Sequence, residues 1–269
     1  MNKKTKVSES AETSAVRREQ IVRELRRNGA VEVDALAARH STSSSTIRRD
    51  LAELERAGLL HRTHGGAVLI EQFLYEPFRH VSSFQEQEQE RAKEKRLIGQ
   101  AAAELVADGE TVAIGAGTTT TQVARNLRHR KGIMVVTNAV NIAMELSHSR
   151  EIKVVLTGGE LSGDWFALVG PAAIGAVREI FVDKAFIGVD GLHAVPGLTT
   201  NYPDQAAIHR AILEQARQRI VVADRSKIGV IGTALIVPVA KIEILVSDKG
   251  LSESQANPFE KLGIRIKKA

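Results

Sequence analysis

The chain has 269 residues, 43% of them hydrophobic and 26% charged, an ordinary make-up for a globular protein that can bury a core without staples. It has no cysteine, which excludes disulfides, thiolate metal sites and cysteine nucleophiles. The net charge of +5 is concentrated at the front, with thirteen Lys/Arg against nine Asp/Glu through Ile70 and then twenty-four against twenty-three. A small basic part joined to a larger neutral one suggests a polyanion reader attached to something else. The opening MNKKTKVSESAETSAVRREQ has no apolar signal-peptide core, and no run is long enough to span a membrane. The expectation is a soluble, unsecreted, cytoplasmic protein with no membrane partner.

Residues 1–13 are expected to form a disordered arm, followed by a first domain over 14–69. RREQIVRELRRNG reads as a helix with Ile21, Val22 and Leu25 on one face, ending at Asn28-Gly29. Asp34 is placed to cap a short second helix carrying Leu36 and Ala37, and His40-Ser41-Thr42 make a turn. Ser43 then caps a basic third helix, SSTIRRDLAELERAG, which ends at Gly58. Its buried stripe is Ile47, Leu51 and Leu54, and Asp50 is turned back toward its own domain. The opposite side presents Ser45, Arg49 and Ala52, flanked by Thr46 and Arg48. Small hydroxyls and bidentate arginines suit the major groove of double-stranded DNA, and two helices joined by a tight turn make a helix-turn-helix. Arg62, Thr63, His64, Gly65 and Gly66 would form a wing beside the phosphates, with the glycines supplying positive φ at its tip. Spacing alone also admits a plain helical bundle with a surface arginine pair.

Residues 70–92 are expected to be a linker, helical toward its end. From 93 to 269 the pattern alternates. Strands are predicted at 111–114, 133–136, 153–156, 184–189, 219–223, 242–246 and 264–266, with helices at 119–128, 139–147, 171–178 and 204–215. This order predicts an α/β domain with a mainly parallel sheet, serving effector sensing and oligomerisation. The strand at 111–114 runs into GAGTTTTQVARNL, so Gly117, Thr118 and Thr119 offer backbone N–H groups and hydroxyls to a phosphate at a helix start. Other strand ends carry Thr137 and Asn138, Gly158 and Gly159, and Asp190, while Lys227 could add a positive charge.

Two motif sets carry a family resemblance. The string SSSTIRRDLAELERAGLLHRTHGGA, residues 43–67 with Ser41-Thr42 before it, resembles the DNA-binding signature of the DeoR family of bacterial regulators. Further on, Gly117-Thr118-Thr119, GLTTNYPDQAA and Asp224-Arg225-Ser226-Lys227 resemble motifs of the same family's effector domain. The resemblance implies a winged helix-turn-helix followed by a domain similar in fold to ribose-5-phosphate isomerase. It also implies repression of a carbohydrate operon, a phosphorylated sugar as effector, and a homo-oligomer, dimer or tetramer. Where the family's loop reads Asp-Ser-Gly-Thr-Thr this chain has Gly115 and Ala116, and Gln205 stands where an acidic residue is common.

Two competing readings remain: a sugar-phosphate isomerase fused to a DNA-binding module, and a DNA-binding protein without a ligand. An isomerase needs a base, with Asp190, Asp204 and His209 as candidates, but Gln205 cannot act as one. The eight histidines show no metal-ligand spacing, so neither a metal, a cofactor nor a catalytic residue is expected.

Overall fold

The computed structural model describes residues 4–56, 59–69 and 82–269. The chain divides into two compact units, Met1–His80 and Val81–Ala269. In the first, helix α1 (Lys4–Asn28) leads into strand β1 (Ala30–Glu32), helices α2 (Val33–Arg39) and α3 (Ser44–Arg56), and strands β2 (Leu60–Arg62) and β3 (Gly66–Leu69). Helix α1 starts well ahead of Ser14, so residues 4–13, expected as a disordered arm, are helical. That stretch contains neither proline nor glycine, and nothing in it stops a helix from propagating. Gly29, at φ +80°, ends α1 by donating its N–H to the Leu25 carbonyl at 2.7 Å. Ile21, Leu25, Val31, Leu36, Ile47, Leu51, Leu54 and Leu60 close one core from all of these elements.

The three strands form an antiparallel sheet in the order β1-β3-β2. Strand β1 was not foreseen: with three residues it is too short to show alternation. A Cβ on Gly66 would stand 1.9 Å from the Val31 carbonyl oxygen, so this glycine permits close approach of β3 to β1. Neither Gly65 nor Gly66 has a positive φ, contrary to the reason expected for them.

The second unit begins, within the described residues, with helices α4 (Ser82–Gln89) and α5 (Ala92–Ala103). The predicted linker thus ends differently. Residues 70–81 lie outside the described residues, whereas 82–89 and 92 onward are helical, broken at Arg91 by a left-handed φ of 52°. Then follow β4 (Thr111–Ile114), α6 (Thr118–Leu127), β5 (Ile133–Thr137), α7 (Val140–Leu146), β6 (Ile152–Leu156), β7 (Glu160–Ser162), β8 (Ala167–Val169) and α8 (Gly170–Arg178). The chain continues through β9 (Val182–Ile187), β10 (Gly191–His193), β11 (Gly197–Thr200), α9 (Pro203–Glu214), β12 (Ala216–Val222), β13 (Ala234–Val237), β14 (Ile244–Ser247), α10 (Glu253–Glu260) and β15 (Arg265–Lys268).

Seven strands form one wholly parallel sheet in the order β15-β14-β12-β9-β4-β5-β6. From β4 the chain builds outward through β5 and β6, then crosses back to β9 and builds the other way. This is a doubly wound sheet whose winding reverses between β4 and β9, where the connections splay apart and open a crevice at the strands' carboxyl ends. Helices α5 and α6 pack tightly; a Cβ on Gly99 would lie 2.6 Å from the Gln122 backbone carbon.

Candidate nucleic-acid interface and candidate sensor cleft

In the first unit, α3 is fixed at both ends and along one side. At its start the Thr46 N–H donates to Ser43 Oγ at 3.2 Å, and that hydroxyl also lies 2.8 Å from Ser45 Oγ. Asp34 is not the cap of α2, which has Glu32 there without a side-chain bond; instead Asp34 accepts from Ser44 Oγ at 2.8 Å and ties α2 to α3. Along the inner side Ile47, Leu51 and Leu54 are buried with Asp50, which accepts from Arg17 Nε at 2.6 Å as expected of it. At the far end Glu55 reaches the wing, accepting from the Arg62 backbone N–H at 2.9 Å and its Nε at 2.7 Å. These bonds, the backbone one first, hold the Glu55 carboxyl below its ordinary range.

The outer side of α3 is different. Ser45, Arg48 and Arg49 are exposed and Thr46 is half-buried. Arg17, Arg18, Arg23, Arg39, Arg56 and Arg62 each pair with a carboxylate of this unit. Arg48 and Arg49 have neither a hydrogen bond nor an ion pair among the described residues. On the wing, Arg62, Thr63, His64 and Gly65 are exposed and Gly66 is buried. Thr63 closes the hairpin by donating to the Gly66 carbonyl at 3.0 Å, and Val33 donates to the Gly65 carbonyl at 2.9 Å. Arg62 is therefore partly spent on Glu55, unlike the two arginines of α3.

In the second unit, a cleft of about 530 Å³, its open mouth included, lies at the winding reversal. Ala116, Gly117, Thr118 and Thr119 line it after β4, Gly188, Val189 and Asp190 after β9, and Val222, Ala223, Asp224 and Lys227 at β12 and beyond. Gly117 adopts φ 151°, and its carbonyl accepts from the hydroxyls of Thr120 and Thr121 at 2.9 and 2.8 Å. The first-turn N–H groups of a helix have no intrahelical acceptor, and Thr118 and Thr119, which line this end of the cleft, open α6. Lys227 forms no hydrogen bond or ion pair through its ammonium among the described residues.

Four expected residues stay outside the lining: Thr137, Asn138, Gly158 and Gly159. They end or follow β5 and β6, on the far side of the reversal. Thr137 Oγ1 donates to the Ile114 carbonyl at 2.6 Å, and Asn138 Oδ1 accepts from the Ala116 N–H at 3.0 Å, so both support the cradle from behind. Gly158 and Gly159 turn the chain at φ +68° and +114°, the second within 2.6 Å (as a built Cβ) of the Val169 carbonyl.

Conversely, the cleft takes in Lys95 and Trp165, which were not foreseen, together with Tyr202 and Gln205 of the GLTTNYPDQAA motif and His209, a candidate base in the sequence. Lys95 is buried and donates to the Gln87 carbonyl; burial lowers its pKa, opposed by Asp224 and helped by Lys227. Trp165, Tyr202, Gln205 and His209 complete the wall. Lys95 lies on a helix whose inner face the sequence shows only weakly. At Gly115 there is no room for a side chain, because a Cβ would meet Ile187 Cδ1 at 2.6 Å and His209 Nε2 at 3.0 Å. His209 is fully enclosed, and burial lowers its pKa to about 4, against a smaller upward pull from Asp190. Asp190 accepts from Thr200 Oγ1 and the Asn201 N–H, both at 2.8 Å, and Asp204 does not line the cleft.

Among the described residues no three His, Asp or Glu side chains are placed to hold a metal ion, and no helix is long and apolar enough to cross a membrane.

A winged helix-turn-helix and a doubly wound sensor unit together define a DNA-binding transcription regulator. The chain belongs to the DeoR family: residues 17–73 match the DeoR-like helix-turn-helix domain and residues 90–249 the DeoR C terminal sensor domain. Its relatives are regulators rather than enzymes. The HTH-type transcriptional regulator GlpR of Haloferax volcanii is 34% identical over 234 residues, 87% of this chain and 89% of that one. The HTH-type transcriptional repressor GlcR of Bacillus subtilis is 30% identical over 244 residues, 90% of this chain and 91% of that one. D-Ribose-5-phosphate isomerase in complex with phospho-erythronic acid overlaps 49% of this chain and 52% of its own, at 16% identity and a TM-score of 0.38.

Proposed function

We propose that the protein is a homo-oligomeric repressor of a carbohydrate-utilisation operon, acting in the cytoplasm and released from its operator by a small phosphorylated sugar. The observation that carries this reading is the pair Arg48 and Arg49, exposed and without a partner among the described residues, on a helix pinned on its other sides. Unpaired arginines on a rigid helix lose little on docking and can donate bidentately to guanine. Helix α3 enters the major groove with Ser45, Thr46, Arg48 and Arg49 nearest the bases. Ser43 and the wing residues Arg62, Thr63, His64, Gly65 and Gly66 lie along the phosphates. In a dimer, half-sites one helical turn or a multiple apart follow from this docking.

The effector's phosphate binds at Gly117, Thr118 and Thr119, with Lys227 as its cation and Asp190 beside the sugar. Two ammonium groups that repel one another, Lys95 and Lys227, next to free helix N–H groups favour an anion there. Effector binding shifts the population toward a state poorly matched to DNA. Binding of the purified protein to DNA upstream of its own gene, titrated with sugar phosphates, tests this. The expected result is a specific complex that one compound releases. A specific complex that none of them alters would remove the sensor half of the proposal, and absence of any specific complex across the genome would remove all of it.

A further inference from the structure

Three side chains in the cleft wall carry polar atoms that are buried and without a hydrogen-bond partner among the described residues: Trp165 Nε1, Gln205 Nε2, and both ring nitrogens of His209. The side chains are nine-tenths or more buried, at 6%, 6% and 2% exposure. They come from two separate segments, the turn before β8 and the first half of α9, and converge on one wall. Other unpartnered buried atoms, such as Ser247 Oγ and Gln215 Oε1, belong to residues outside the cleft. A buried donor left unmade costs free energy, so a wall holding several of them is built to be completed by a ligand.

The geometry points to a second subsite, in which Trp165, Gln205 and His209 bind the uncharged, oxygen-bearing tail of the effector and set its specificity. The inference rests on the phosphate reading of the Thr118 end and adds what the other end accepts. The indole and amide N–H groups are donors and call for oxygen acceptors. A neutral imidazole offers one donor and one acceptor, which matches a hydroxyl. The ring is held in place because it fills the space above Gly115, where a Cβ would come within 3.0 Å of Nε2.

Charge decides what is refused. Asp190 lies beside His209 and its negative charge opposes a second phosphate or a carboxylate on the tail. The accepted ligand is therefore a monophosphate with a neutral polyhydroxyl or carbonyl tail. A bisphosphate or a carboxylate-bearing sugar phosphate fits worse.

Calorimetric titration of the full chain distinguishes these possibilities, using a hexitol monophosphate, a hexose bisphosphate, a hexuronic acid monophosphate, free hexitol and inorganic phosphate. The hexitol monophosphate should bind most tightly. His209→Phe and Trp165→Phe should each weaken it by roughly threefold to tenfold, the worth of one neutral hydrogen bond, while leaving inorganic phosphate unchanged. Two substitutions on different elements guard against one of them failing to fold. Equal losses for inorganic phosphate, or equal affinity for the bisphosphate or the uronic acid phosphate, would overturn the tail subsite. Binding of free hexitol that His209→Phe removes, with no contribution from phosphate and no effect of Lys227→Ala, would overturn the phosphate reading and keep the tail subsite. Binding of none of the five would overturn both.

Discussion

The outer side of α3 leaves its two arginines exposed and unpaired, whereas the sensor cleft buries its polar groups and ties most of its charges to neighbours. Arg48 and Arg49 have no partner among the described residues, while Asp190 accepts two hydrogen bonds and Asp224 accepts from Ser226 and lies 3.4 Å from Arg91 Nε. A surface that meets phosphates and base edges gains by keeping its cations hydrated and available, because the partner arrives fully charged. A cleft for a small molecule must instead hold its groups at fixed positions before the ligand comes, and burial with internal bonds does that. The difference implies that mutations on the α3 face change binding without changing stability, whereas mutations in the cleft wall change both.

The largest effect should come from breaking the support beneath the exposed face. Leu51 is fully buried in the core of the first unit, and Leu51→Ala should cost about 2–5 kcal/mol, as deletions of buried leucines do. Thermal unfolding should then show the first unit melting early, with loss of DNA binding and the second unit's transition unmoved. Next in size, Arg49→Ala should weaken operator binding by about 1–3 kcal/mol if that side chain reads a base. Its melting temperature should match the wild type, since Arg49 has no hydrogen bond or ion pair among the described residues; a lowered one would mean that Arg49 belongs to the fold.

Smaller again is the cap of α3. Ser43→Ala removes the acceptor of the Thr46 N–H and should cost about 0.5–2 kcal/mol, with Ser43→Gly costing less. A separate effect distinguishes the cleft from the helix by pH. The folded-state pKa of His209 is about 4, below its ordinary value of 6.5, so the unfolded chain takes up the proton first. Its influence is absent above pH 6.5, and stability falls as pH drops from there toward 4. Chemical denaturation across this window should show a shallower decline for His209→Gln than for the wild type, and identical slopes would place the ring in a more open setting.

The two regions also differ in how far the sequence revealed them. The DNA-reading element was legible nearly residue by residue, because its determinants are local: the Ser43 cap, the Ile47, Leu51 and Leu54 stripe, and the stop at Gly29 each depend on neighbours within a turn or two. The strands of the parallel sheet were legible as well, since buried β-branched runs need no knowledge of their neighbours. What the sequence did not carry was strand order. Polar strand ends look alike on both sides of the winding reversal, so Thr137, Asn138, Gly158 and Gly159 resembled site residues as closely as Gly117 and Asp190 did. Lys95, Trp165 and His209 meet only through tertiary packing, and no spacing rule connects them. The short strands β10, β11 and β13 were missed for the same reason, because each is defined by its partners.

The central claim is that Arg49 and its neighbours on α3 read bases and do not simply neutralise phosphates. Selection from a randomised operator library, with the wild type and with Arg49→Ala at several salt concentrations, tests it most directly. The account predicts that the variant loses preference at one position in each half-site while its salt dependence stays close to that of the wild type. Unchanged base preference, with uniformly weaker binding and a salt slope lower by about one, would show a phosphate contact and contradict it.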